Sequence, residues 1–160
     1  RATGIEDEPV ADALRTFRGV AHRLELVGEI HGVGFVNDSK ATNVAAARPA
    51  LAAYADEPVH LILGGSRKGE DFAPLARAIG PNVRRAYLIG EAADELAAAL
   101  DAAGVPYVRS GDLETAVREA ADAARPGDIV LLSPACASFD HFRDFEERGD
   151  RFRELVGSLR

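Results

Sequence analysis

A chain of 160 residues, 47% hydrophobic and 28% charged, suits one globular domain, residues 1–160, burying roughly 70% of the surface its unfolded chain exposes. The net charge of -7 is spread over interspersed acids and arginines; this excludes a basic stripe for a nucleic-acid backbone, and no apolar run approaches the ~20 residues of a membrane span. The single cysteine, Cys136, excludes an internal disulfide and suits a reducing, cytoplasmic compartment, and no signal-peptide pattern opens the chain.

In chain order, "VADALRTF" (10–17) has apolar residues at helical spacing and ends at Gly19. "LELVGEI" (24–30) and "VGFV" (33–36) are β-patterned runs joined at His31-Gly32, which predicts a hairpin. An Ala-rich helix is expected over 43–54. "VHLIL" (59–63) is the continuous apolar run of a strand covered on both faces. A helix over 71–79, a strand at "RAYLIG" (85–90) and a helix over 92–103 ended by Gly104 follow. "PYVRS" (106–110) reads as a short strand, and 113–124 as a helix stopped by Pro126-Gly127. "DIVLL" (128–132) is another buried strand, and the remainder reads as helical with a break at Gly149. The alternation predicts an α/β, Rossmann-like three-layer domain. Its sheet has about six strands, mostly parallel with one antiparallel strand, and helices on both faces.

Ligands of such sheets bind beyond the carboxyl ends of the strands. Three strand-following loops stand out there: "NDSKATN" (37–43), "GGSRKGE" (64–70) and "SPACASFD" (133–140). They hold both lysines of the chain, Lys40 and Lys68, and four of its six serines, Ser39, Ser66, Ser133 and Ser138. Arginine carries positive charge everywhere else, so the lysines mark places where a compact point charge is wanted. At an effective dielectric near 20, an ammonium about 4 Å from a carboxylate or phosphate gains about 4 kcal/mol before desolvation. Thr42 or Asn43 is placed to cap the helix beginning near Val44, whose N-terminus favours an anion. Ser138 is placed to open the last helical segment, either as a plain cap or as a carboxylate donor. "GGSRKGE" lets backbone approach a ligand but lacks the order of a P-loop or a dinucleotide fingerprint.

Other constellations carry less. Ser138, Asp140 and His141 are too close in sequence to be oriented as a triad, and no G-x-S-x-G elbow exists. Cys136 reads as a buried small hydrophobe rather than a nucleophile. His22, His31, His60 and His141 lack metal-ligand spacing. Phe139, Phe142 and Phe145 recur every third residue, as core positions do. "FEERGDRFRE" (145–154) reads as a solvated helical face. The residues thus describe an anion pocket with two ammonium groups and several hydroxyl and backbone donors. That suits positioning a small dicarboxylate or phosphorylated ligand without covalent catalysis.

"HRLE" (22–25), "VNDSKATN" (36–43), "LILGGSRKGEDF" (61–72) and above all "LLSPACASFDHFRDFEERG" (131–149) resemble the C-terminal domain of the Mur ligase family, in its D-glutamate-adding branch. The resemblance covers essentially the whole chain. It implies one domain of a three-domain, ATP-dependent amide-forming ligase of peptidoglycan synthesis. An N-terminal domain would hold UDP-N-acetylmuramoyl-L-alanine and a central domain ATP and Mg2+, in a cytoplasmic monomer. The absence of methionine and of a P-loop agrees with a fragment, inactive alone and carrying no catalytic residue or metal of its own. By motif, Thr42, Lys68, Ser138 and Phe145 would contact the carboxylates of D-glutamate, Phe145 through its backbone. Phe139 would line that pocket, where the family pattern has leucine. Arg23 and Lys40 would face nucleotide phosphates, and Asp38 the ribose or its surroundings. The competing expectations are a sister muramyl-peptide or folylpolyglutamate ligase, and a stand-alone nucleotide-binding module.

Overall fold

The computed structural model describes residues 20–159; the helix expected over 10–17 lies outside them. The first strands are β1 (Glu25–Ile30) and β2 (Val33–Asn37), paired antiparallel. His31 and Gly32 between them have φ of 52° and 78°. Two positive φ values in a two-residue loop match the right-handed twist of the flanking strands, so the hairpin closes where the sequence predicts. The remaining elements alternate: α1 (Val44–Ala53), β3 (Val59–Gly64), α2 (Ala73–Ala78), β4 (Val83–Ile89), α3 (Ala93–Ala103), β5 (Tyr107–Gly111), α4 (Leu113–Ala123), β6 (Ile129–Leu132) and α5 (Phe145–Ser158).

The strands form one sheet in the order β1-β2-β6-β3-β4-β5, parallel except for the β1–β2 pair. Successive residues of a strand face opposite sides, which splits the core in two. Leu61, Leu63, Leu88 and Leu131 pack with Ala47, Leu75, Leu96 and Leu100 of α1, α2 and α3. Ile62, Tyr87, Val130 and Leu132 pack with Val117 of α4 and with Phe152 and Val156 of α5. Burying each such aliphatic side chain contributes about 1.5–3 kcal/mol. The three-layer expectation therefore holds in full.

Two expected boundaries shift. The helix expected over 71–79 is trimmed to α2, because the Asp71 carboxylate accepts the Ala73 N–H at 2.9 Å in a turn before it. The segment after β6 is not helical until Phe145; Asp144, not Ser138, caps α5, its carboxylate accepting the Glu147 N–H at 2.7 Å. Nor does α5 break at Gly149. A Cβ there would stand 2.1 Å from Nδ1 of His22, so the glycine admits the ring of His22 against an unbroken helix.

Candidate functional site

The three polar loops follow β2, β6 and β3, which are immediate neighbours in the sheet. All three strands are parallel, so their loops leave at one edge, side by side. The loop after β3 is tied to the one after β6. Gly64 N–H donates to the Pro134 carbonyl and Ser66 N–H to the Ala137 carbonyl, each at 2.8 Å. Gly65 has φ of 144°, and a Cβ there would lie 2.1 Å from the Ala137 oxygen; only glycine permits so close a crossing. Asp140 N–H donates to the Ser66 hydroxyl at 2.8 Å, and the Asp140 carboxylate accepts from Glu91 N–H at 3.2 Å.

Beneath these loops lies Arg148, 0% exposed. Its Nε donates to the Ser39 hydroxyl at 2.9 Å, Nη2 to the Ser39 carbonyl at 2.9 Å, and Nη1 to the Cys136 carbonyl at 3.0 Å. Burial brings the guanidinium down to about 10, against the opposing pull of Cys136 and Asp140. One side chain on α5 therefore joins the loops after β2 and β6. The expectation that 145–154 is a solvated face fails here. Arg148 is interior, and Arg153 in the same stretch grips Glu25 of β1 at 2.8–3.0 Å. Charged residues at helical spacing read as solvated because the pattern does not reveal which one meets backbone carbonyls.

Thr42 lies in the last turn before α1, half-buried, and its N–H donates to the Lys40 carbonyl at 2.9 Å. Asn43 is the residue that caps α1, its side chain accepting the Ala46 N–H at 2.8 Å. The Glu70 carboxylate accepts the Val44 N–H at 3.1 Å, so the helix N-terminus already favours a carboxylate. Ser138 is 2% exposed, and its carbonyl closes a turn by accepting the Phe142 N–H at 2.8 Å. Lys68 is exposed, with Nζ 5.7 Å from the ring centroid of Phe139. Phe139 is itself 67% exposed, contrary to the core expectation, while Phe142 and Phe145 are partly buried. Phe145 opens α5, and its carbonyl accepts the Ser39 hydroxyl at 2.8 Å.

Lys40 repeats the Lys68 pattern: its Nζ lies 5.1 Å from the ring centroid of Phe145. Both lysines thus stand over phenylalanines of the β6–α5 segment, where ring quadrupoles attract them, and among the described residues neither is in an ion pair. Arg23 is exposed at the same edge, in a turn with its N–H on the Val20 carbonyl at 3.1 Å. Asp38 sits below the surface, 1% exposed. Its oxygens accept the Ser133 hydroxyl at 2.9 Å and the Leu24 N–H at 3.2 Å. Burial raises this carboxyl above the ordinary range, while Ser133, Leu24 and the charge of Arg23 pull it back.

Cys136 is buried, and burial pushes its thiol up to about 12. It is inert at neutral pH. Among the described residues no group of three or more His, Cys, Asp or Glu side chains is gathered to hold a metal ion. Sequence reasoning missed Asn37 as well as Arg148. The Asn37 amide donates to the Gly149 carbonyl at 3.2 Å and meets Nδ1 of His22 at 3.1 Å, linking "HRLE" to α5. Its only signal was the rarity of asparagine in this chain.

The edge thus sets polar side chains of three adjacent loops side by side, with two ammonium groups over aromatic rings. Residues 22–136 match the family described as "Mur ligase, glutamate ligase domain". The chain is 52% identical, over 99% of its length, to "UDP-N-acetylmuramoylalanine–D-glutamate ligase" of Sphingopyxis alaskensis, and 50% identical, over 98%, to that of Acidobacterium capsulatum. It spans 37% and 33% of those relatives, about a third of their length. Among solved structures, the "UDP-N-acetylmuramate-alanine ligase MurC" of Thermotoga maritima is similar with TM-score 0.68 at 18% identity, over 98% of this chain and 35% of that one. A "bifunctional folylpolyglutamate synthase/dihydrofolate synthase" of Yersinia pestis is similar with TM-score 0.67 at 22% identity, over 97% and 34%. At such identities the likeness shows the fold alone. The family match shows more: this chain belongs to the Mur ligase family and carries its glutamate ligase domain.

Proposed function

We propose that the chain is the amino-acid-binding C-terminal domain of an ATP-dependent ligase that adds D-glutamate to UDP-N-acetylmuramoyl-L-alanine in the bacterial cytoplasm. What supports this reading is the position of Thr42, Lys68 and Ser138 in loops that follow three neighbouring strands, in a chain about half identical to ligases of that name. Lys68 supplies a charge for one carboxylate of D-glutamate. Thr42, at the foot of α1, and Ser138, with the Phe145 backbone at the start of α5, supply neutral donors. Phe139 gives the pocket an aromatic wall.

In the complete enzyme, the substrate carboxylate is phosphorylated by ATP, the D-glutamate amine attacks the acyl phosphate, and phosphate leaves as the amide forms. Arg23 and Lys40 face the nucleotide phosphates as this domain closes on an ATPase domain. Asp38 aligns the Arg23-Leu24 turn from beneath through its bond to Leu24 N–H; a direct ribose contact would exchange that bond or the one to Ser133. Mg2+ belongs to the ATPase side, where it neutralises phosphate charge. A pocket built for two carboxylates rejects analogues with one, because buried donors would be left unpaired.

An amide NMR titration of this chain with D-glutamate, against L-glutamate, tests the reading. Saturable shifts around Thr42, Lys68 and Ser138 with the D form alone are expected. Equal response to both enantiomers, or preference of the rejoined enzyme for meso-diaminopimelate or a folate, would overturn it.

A further inference from the structure

The opposite edge of the sheet, where the strands begin, holds a second concavity. A cavity of about 300 Å³ is lined there by His60, Arg84, Arg85, Tyr87, Arg125 and Asp128. None of these residues belongs to the three loops.

A register shift builds it. In the β3–β4 pair, Val83 is opposite Val59 and Arg85 is opposite His60, leaving Arg84 as an extra residue. Strict alternation would put Val83 and Ala86 on opposite faces, yet both pack on the side of α1, α2 and α3. The slip leaves both Arg84 and Arg85 on the other side, toward α4. Bulges are uncommon between parallel strands and characteristically re-aim side chains. Arg125, in the connection from α4 to β6, brings a third guanidinium to the same place.

The floor is polar and ordered. His60 is 3% exposed; its Nδ1 meets the Tyr87 hydroxyl at 2.9 Å and its Nε2 the Asp128 carboxylate at 3.3 Å. Asp128 also accepts the Arg125 N–H at 2.9 Å. Among the described residues, the one carboxylate lining the cavity is thus engaged by its floor and backbone. Among the described residues, the guanidiniums of Arg84, Arg85 and Arg125 form neither ion pairs nor hydrogen bonds, whereas those of Arg67, Arg109, Arg118, Arg143, Arg151 and Arg153 are all in ion pairs. Three guanidiniums against one carboxylate leave two positive charges on this concavity, in a chain of net charge -7.

We propose that this cavity is a second anion site, which takes a phosphate or diphosphate group. Guanidinium forks match the oxygens of phosphates in pairs. Two uncompensated charges select a dianion, and the volume reaches the lower range of small-ligand sites. The site does not depend on the reading of the loops, because it shares no residue with them.

The test is an amide NMR titration of this chain with pyrophosphate, inorganic phosphate and ADP in turn, at ionic strength held constant with sodium chloride. Saturable shifts at Arg84, Arg85, Tyr87 and Arg125 with pyrophosphate or phosphate are expected. Tighter binding of ADP here identifies a nucleotide diphosphate as the source, and equal or weaker binding identifies the bare phosphate group. The double variant R85A/R125A should bind at least about tenfold more weakly. Both side chains are exposed, so the fold survives, which dispersed amide spectra verify. R48A/R77A, removing two exposed arginines elsewhere, should bind unchanged. Shifts reproduced by sodium chloride alone, shifts confined to the loops around Lys40 and Lys68, or unchanged affinity in R85A/R125A would each overturn the site.

Discussion

Arg148 holds Ser39 at two points, with Nε on the hydroxyl and Nη2 on the carbonyl, each at 2.9 Å. Through Nη1 the same guanidinium reaches the Cys136 carbonyl. The loops after β2 and β6 are thus cross-braced by one charge whose hydrogen bonds all go to neutral oxygens. Replacing it leaves several buried acceptors unsatisfied. Arg148→Ala should cost about 3–5 kcal/mol, read as a lower urea midpoint. Arg148→Lys, lacking the planar fork, should recover only part. A loss under about 1 kcal/mol for the alanine variant would mean that water replaces the guanidinium freely.

Gly149 tests the other brace. A Cβ at this position would strike Nδ1 of His22 at 2.1 Å, displacing the ring that meets the Asn37 amide at 3.1 Å. Gly149→Ala should destabilise by about 1–3 kcal/mol despite its better helix propensity. Gly157, in the same helix, has nothing within 4 Å of its would-be Cβ. Gly157→Ala should therefore stabilise, by up to about 0.5–1 kcal/mol. Opposite signs in paired thermal melts check the packing directly; a matching sign would show that helix propensity governs both positions.

The sheet and its two helical layers were legible because apolar runs and Gly or Pro punctuation carry them. The candidate edge was legible because lysine and serine are scarce elsewhere and sit after strands. Gly149 was misread for a physical reason: a glycine that breaks a helix and one that admits a ring from a distant segment look alike in sequence. Arg148 was hidden likewise, since its acceptors lie on loops 109 and 12 residues away. The bulge at Arg84 leaves no local trace, because it is a property of pairing between β3 and β4. Phe139 followed the three-residue rhythm of a core helix, but the segment carrying it is a turn and exposes the ring beside Lys68.

Lys68 links the site to kinetics. Its Nζ stands over the Phe139 ring at 5.7 Å, and no ion pair among the described residues includes it, so its charge is available to a carboxylate. On the proposed function, Lys68→Ala in the complete ligase should raise KM for D-glutamate by roughly 10- to 150-fold, with KM for ATP far less affected. An unchanged KM for D-glutamate would remove Lys68 from the pocket.

His60 gives the domain an acid sensitivity whose sign follows from its surroundings. Burial lowers its pKa from the ordinary 6.5; the hydrogen bond and charge of Asp128 oppose this, and Arg85 and Arg84 reinforce it. Between the lowered folded value and about 6.5 the unfolded chain binds more protons than the folded one, so stability rises with pH across that window and is lost on acidification through it. The urea midpoint should fall between pH 7.5 and pH 5.5. His60→Asn, which cannot take up a proton there, should be less stable at pH 7.5 but should lose less on acidification. If both proteins lose the same amount, the acid sensitivity belongs to other groups, and the Tyr87–His60–Asp128 chain is a passive floor.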